Sequence, residues 1–321
     1  MDRRQFLGAA GAALMASSMG GLRAETGTME PAGTPDEPEG LKPMAVGLLV
    51  SPFGAPEAVF GRVREMGFSN CFLSLDGYIG GGFTKDLAAQ YRELLKKNEL
   101  IATCVEVVGP GPMEWNFMKG PATIGLVPEK TRTARMNALK EVSDFASLVG
   151  INQVQTHCGF IPEDPGDPKY PGTVEAIRAV AQHCHGNGQY FLMETGQETP
   201  TTMSRMIRDV AMPNLAVGLD TANLILYGKA NPVDAADIIG RHVRSVHAKD
   251  GKWPTDPSQL GEEVLIGQGL VDFKKVFEKL HKLGYTGAIT IERETSGPQQ
   301  IADVKAEKVY LENVLAEVMK G

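Results

Sequence analysis

The chain has 321 residues, 42% of them hydrophobic and 22% charged, with a formal net charge of -7 and a pI near 5.5. That length accommodates one large core, and the acidic balance excludes a long phosphate-tracking surface, because nucleic-acid affinity comes from clustered Lys and Arg. The four cysteines, Cys71, Cys104, Cys158 and Cys184, have no CxxC spacing, so buried thiols are expected rather than a metal cluster or a disulfide framework.

Arg3-Arg4-Gln5-Phe6-Leu7 is a twin-arginine pattern, followed by a small apolar run from Gly8 to Leu22 and by Ala24 as a cleavage residue. The run is shorter than the ~20 residues that a membrane span needs. Residues 1–24 are therefore expected to be a removed export signal, placing the mature protein in the periplasm or outside the cell without a stable membrane span. An uncleaved anchor is the alternative. Residues 25–40 are Pro, Gly, Thr and acid with almost nothing apolar, which predicts a flexible leader, since burial cannot offset its ordering entropy.

From residue 41 to 321, short β-rich runs alternate with segments of helical period. The strands are expected at Met44 to Val50, Asn70 to Ser74, Ile101 to Val107, Gln153 to His157, Tyr190 to Glu194, Ala216 to Leu219, Val243 to His247 and Ala288 to Ile291. Between them, apolar residues at three- and four-residue spacing predict helices over Pro56 to Glu65, Thr84 to Lys97, Lys130 to Leu148, Thr173 to Gly186, Thr202 to Val210, Pro232 to Gly240 and Asp272 to Leu283. A last helix runs through Val304, Leu311 and Val314. Gly67, Gly150 and Gly284 fall where helices should stop. Eight strands in strict alternation predict a single-domain (β/α)8 TIM barrel over residues 41–321. A doubly wound open sheet would need a Gly-rich phosphate loop after its first strand, and Ser51-Pro52-Phe53-Gly54-Ala55-Pro56 is not one. Two long connections, Gly109 to Pro128 and Gly159 to Pro171, are expected to cover the catalytic face.

Chemistry gathers at the carboxyl ends of the later strands: Glu194, Asp220, His247 and Glu292 each end an apolar run. An ionised side chain is costly there unless it is paired or coordinated, and in a closed barrel these strand ends share one rim. Ordinary rim polarity explains any one of them, but four on consecutive strands suggest a site. Three carboxylates and an imidazole suit Mn, Mg or Co better than a thiolate-loving metal. Mn is the expected ion, with Mg, Co or Zn as alternatives. Glu106, near the end of the third strand, is a further candidate.

Val246-His247-Ala248-Lys249-Asp250-Gly251, Gly267-Gln268-Gly269 with Val271-Asp272-Phe273, and Leu283-Gly284-Tyr285-Thr286-Gly287 leading into Ile289-Thr290-Ile291-Glu292 resemble the sugar phosphate isomerase/epimerase superfamily of xylose-isomerase-like barrels. The likeness implies that Glu194, Asp220, His247 and Glu292 hold one metal, and that Glu194 and Glu292 are an acid/base pair working on opposite faces of a sugar carbon beside a carbonyl. It also implies a substrate-contacting or metal-adjacent role for His157, with a satisfied rim histidine as the alternative; Lys249 and Asp250, continuing past His247, are expected to orient the ligand or touch substrate hydroxyls, with a solvated loop pair as the alternative. Ketose 3-epimerases carry a histidine three residues after the aspartate ligand and an arginine six after the histidine ligand. This chain has Asn223 and Trp253, so Asn223 is expected to bear on substrate choice. The implied activity is an isomerase or epimerase of a keto-sugar or polyol. A lyase or dehydratase acting on an oxidised sugar, 3-keto-glycoside or inosose and a non-catalytic sugar-binding protein are the alternatives. A small-molecule partner is expected, and a homo-oligomer is compatible with the fold.

Overall fold

A computed structural model describes residues Pro38 to Lys320. The expected export signal (1–24) and most of the expected leader (25–40) lie outside the described residues.

The described strands, in chain order, are β1 Val46–Val50, β2 Asn70–Ser74, β3 Ile101–Glu106, β4 Gln153–Thr156, β5 Tyr190–Glu194, β6 Leu215–Asp220, β7 Val243–Ala248, β8 Asp250–Gly251, β9 Glu263–Val264 and β10 Ile289–Ile291. All but β8 and β9 pair in parallel and close into a barrel in the order β1-β10-β7-β6-β5-β4-β3-β2. Pairing of Val46 with Ile289 seals the ring, which excludes the doubly wound alternative. These are the eight strands that the alternation predicted, with ends displaced by at most two residues. The short antiparallel ladder of β8 with β9 is an addition, formed inside the connection that follows β7.

The helices outside the ring also fall where the periodicity put them. Lys85–Lys97 presents Ala88, Tyr91, Leu94 and Leu95 to the sheet, and the Thr84 hydroxyl caps it by accepting from Leu87 N at 3.1 Å. Glu129–Val149 stops at Gly150, whose φ of 95° is a left-handed conformation that costs glycine little. Thr199, Asn231 and Asp272 cap three later helices in the same way.

Side chains alternate across each strand, so the barrel has two apolar zones. Cys71, Leu73, Val105, Phe191, Met193 and Val217 join the main core between the sheet and the helices. Leu49, Phe72, Cys104, Tyr190, Leu192 and Ala216 form a separate cluster on the opposite face, which is the inside of the barrel. Further along the same inward rows stand Glu106, level with Leu192 and Ala216, then Glu194 one step beyond Leu192 and Asp220 two steps beyond Ala216. The apolar plug therefore sits below, and the polar rim sits at the strand ends above it. No helix among the described residues is long and apolar enough to cross a membrane.

Candidate metal centre

The two-residue period carries Tyr190, Leu192 and Glu194 inward on β5, and Ala216, Gly218 and Asp220 inward on β6. Register then brings Asp220 beside His247 of β7, and His247 beside Thr290 of β10, two residues before Glu292. Glu194, Asp220, His247 and Glu292 consequently offer one ligand atom each within 4.8 Å of one another, a group that could hold a metal ion. His247 Nδ1 lies 3.1 Å from Glu194 Oε1 and 3.2 Å from Glu292 Oε2. Glu194 Oε2, Asp220 Oδ2 and Glu292 Oε2 are buried without a hydrogen-bond partner, and the nearest basic groups stand 3.1 to 4.0 Å away. Converging buried carboxylate oxygens outnumber the donors beside them, which is costly, and a divalent cation is the group that satisfies all of them at once. The donor set fits one.

The electrostatics are divided unequally among the carboxyls. Burial would raise Glu292, but Lys249 and His247 beside it outweigh burial and hold it well below the usual range. Glu194 is likewise lowered, because His157 and His247 overcome its desolvation. Asp220 goes the other way: burial, reinforced by the two glutamates, pushes it well above the usual range despite Lys249. Glu106, buried below the rim, is raised by desolvation and by the field of Glu194. Glu194 and Glu292 are thus both held as carboxylates, whereas Asp220 and Glu106 are pushed toward the neutral form.

The remaining candidates divide by what they touch. His157 Nε2 is 3.1 Å from Glu194 Oε2, while Gln197 Nε2 is 3.3 Å from its other ring nitrogen and the Trp115 ring stands edge-on at 4.9 Å. Lys249 is almost wholly buried, with Nζ at 2.7 Å from Glu294, 3.6 Å from Glu292 and 4.0 Å from Asp220. Asn223 opens a short helix, and its backbone N–H donates to Asp220 Oδ1 at 2.7 Å, beside that of Ala222 at 2.8 Å. Asp250 differs from the substrate contact expected of it. Its buried carboxylate accepts from the backbone N–H groups of Gly251, Gly267, Gly269 and Val271 at 2.8 to 3.1 Å, which commits its oxygens to holding the connection together.

Sequence reasoning passed over Gln155, Gln197, Glu198, Glu294 and Arg135. Gln155 was readable, since it lies two residues before His157 on an inward row. Arg135 was not: it is fully buried and donates to the carbonyls of Pro110, Pro112 and Gly125 at 2.9 to 3.2 Å, tying the first long connection down beside the site. From the second long connection Phe160 packs on Tyr227 at 5.8 Å, and Phe117 of the first meets the same ring at 6.3 Å. A separate cavity of about 530 Å³ opens between the helices Pro56–Glu65 and Gly297–Val318, lined by Leu48, Val63, Met66 and Ile301. It lies on the helix side of the sheet, away from the carboxylates.

A family described as xylose isomerase-like TIM barrel matches residues 58–314. The structure is similar to that of a xylose isomerase domain protein from Planctomyces limnophilus, with a TM-score of 0.81 and 29% identity, covering 87% of this chain and 100% of the other. A putative L-ribulose-5-phosphate 3-epimerase of Escherichia coli is 36% identical over 88 residues, which is 27% of this chain and 30% of that protein. An inosose dehydratase of Geobacillus thermodenitrificans is 26% identical over 117 residues, 32% of this chain and 38% of that protein. Both of these likenesses span well under half of the curated relative's length.

Proposed function

The chain belongs to the xylose isomerase-like TIM barrel family, and on that premise we propose that it is a divalent-metal-dependent isomerase or epimerase of a keto-sugar or related polyol. The observation that carries the reading is the convergence of Glu194, Asp220, Glu292 and His247 Nδ1, with one unpartnered buried oxygen on each carboxylate. Those four residues would hold the ion, for which Mn2+ is proposed on the oxygen-rich donor set. When bound, a divalent cation would polarise the carbonyl next to the reacting carbon and favour an enediolate. The chain's own residues do the rest. Glu292, kept ionised by Lys249 and His247, takes the proton from that carbon, and Glu194, itself held ionised, returns one to the opposite face after first taking it up from solvent water. His157, 3.1 Å from Glu194 Oε2, orients that carboxylate and bears on the substrate. Lys249 balances the negative charge of the cluster, and Asn223, at the turn that anchors Asp220, bears on the substrate.

A second reading uses the same proton abstraction but expels a β-leaving group, making the protein a lyase or dehydratase. Likeness to an inosose dehydratase supports it, as do Asn223 and Trp253 in place of the histidine and arginine of ketose 3-epimerases. A sugar-binding protein without turnover is the third reading.

The test is proton NMR in D2O of the protein loaded with diamagnetic Mg2+, against ketoses, 3-keto-glycosides and inososes. Loss of one C–H signal with a product isomeric with the substrate apart from one incorporated deuterium supports the isomerase, whereas a product that has lost water supports the dehydratase. Binding without exchange would sink both enzymatic readings. Export by the twin-arginine route is part of the proposal, on Arg3 and Arg4. Retention of unprocessed wild-type protein in the cytoplasm would count against it.

A further inference from the structure

We propose that Gln155 is a positioning residue that presents His247 to the metal through Nδ1, its amide oxygen accepting the Nε2–H of the imidazole. The inference rests on the metal-centre reading above. Gln155 lies on β4 and is fully buried, and its amide nitrogen is 3.5 Å from His247 Nε2. The opposite ring nitrogen, Nδ1, is the one that faces Glu194 and Glu292 at 3.1 and 3.2 Å. An imidazole that gives its Nδ1 lone pair to a cation carries its proton at Nε2, and a buried N–H without an acceptor is costly. Gln155 Oε1 is a buried acceptor without a donor. A half-turn of the amide exchanges two atoms of nearly equal size and joins the unsatisfied oxygen to the unsatisfied ring N–H.

Two neighbours make the arrangement specific. Gly218, facing inward on β6, the next strand but one, leaves the space that the amide fills, since a Cβ there would collide with both Oε1 and Cδ of Gln155. Phe72 meets the His247 ring edge-on at 4.6 Å, which fixes its plane. A glutamine serving only to fill the barrel would be replaceable by an apolar residue of similar size without consequence for the metal. A positioning glutamine would not.

The test uses the full chain stripped of metal. Titration calorimetry with Mn2+ should show Gln155→Leu binding roughly 10–100-fold more weakly than wild type, as removal of such an outer partner generally does. Gln155→Glu, which keeps an acceptor at the same place, should retain tight binding. In the Mg2+-loaded wild type, 15N NMR should find His247 protonated at Nε2, and this measurement decides the matter if the leucine variant does not fold. Wild-type affinity in a folded Gln155→Leu protein, or coordination of His247 through Nε2, would overturn the inference while leaving the metal centre standing. Failure of the wild type to bind Mn2+, Mg2+, Co2+ or Zn2+ would remove the metal centre itself, and the role of Gln155 with it.

Discussion

Glu292 combines two demands in one carboxylate, because it faces His247 and Lys249 as an ion-pair partner and is also the proposed base. Glu292→Gln should lower turnover at least 10²-fold, the usual scale for losing a general acid or base. It should also weaken Mn2+, read by calorimetry; full activity in this variant would refute the site. Glu198 behaves differently. Burial pushes its carboxyl up to about 8, only partly countered by Lys229, and neither of its oxygens has a partner. The folded protein thus binds a proton on Glu198 that the unfolded chain releases near pH 4.5. Stability contributed by this group is complete below that value and is lost as pH rises through about 8. Glu198→Gln should leave the melting temperature nearly unchanged at pH 5 and raise it at pH 9, where it removes a destabilisation on the order of a few kcal/mol. Parallel melting curves for the two proteins across that range would contradict the assignment.

At the scale of an element, the connection after β7 is organised by one carboxylate. Asp250 gathers four backbone N–H groups from residues 251 to 271, and Gly269 is required there because a Cβ would strike the Asp250 carboxylate. Asp250→Ala leaves four donors without their acceptor, those of Gly251 and Val271 buried and those of Gly267 and Gly269 partly so, with an expected loss on the order of 2–4 kcal/mol. Asp250→Asn keeps one acceptor oxygen and should fall between it and wild type. The damage should concentrate locally, so limited proteolysis should nick the alanine variant within residues 252–270 before any other described segment. Cleavage elsewhere first would mean that the carboxylate does not hold this connection. The motif around Gly267-Gln268-Gly269 therefore has a mechanical reason that is independent of substrate.

Across the whole molecule, the four thiols are free and buried on both sides of the sheet. Burial raises Cys71 and Cys184 to about 12, so all four are poor nucleophiles while the barrel is closed. A thiol reagent should label the native protein at a rate set by unfolding, then all four sites together in denaturant, and reductant should leave the melting temperature unchanged. Rapid labelling of any one cysteine at neutral pH would reveal a local opening of the barrel.

Much of this architecture was legible from the chain, and for identifiable reasons. Strand and helix periods are local, so the eight barrel strands and their covering helices could be placed to within a few residues, and Gly150 marked a helix end by its backbone freedom alone. Glu194, Asp220, His247 and Glu292 stood out because a charge at the end of an apolar run is costly wherever the chain folds. Their mutual distances were not legible, since these depend on the register of four parallel strands. Only the tertiary structure showed that Asp250 turns toward backbone N–H groups, that Arg135 is buried beneath the connection leading into its own helix, and that Gln155 lies against His247, 92 positions further along the chain. The sequence determined which residues end their strands facing the barrel interior. Ring closure decided which of them meet, because side-chain contacts across a barrel are set by shear and packing rather than by any pattern along the chain.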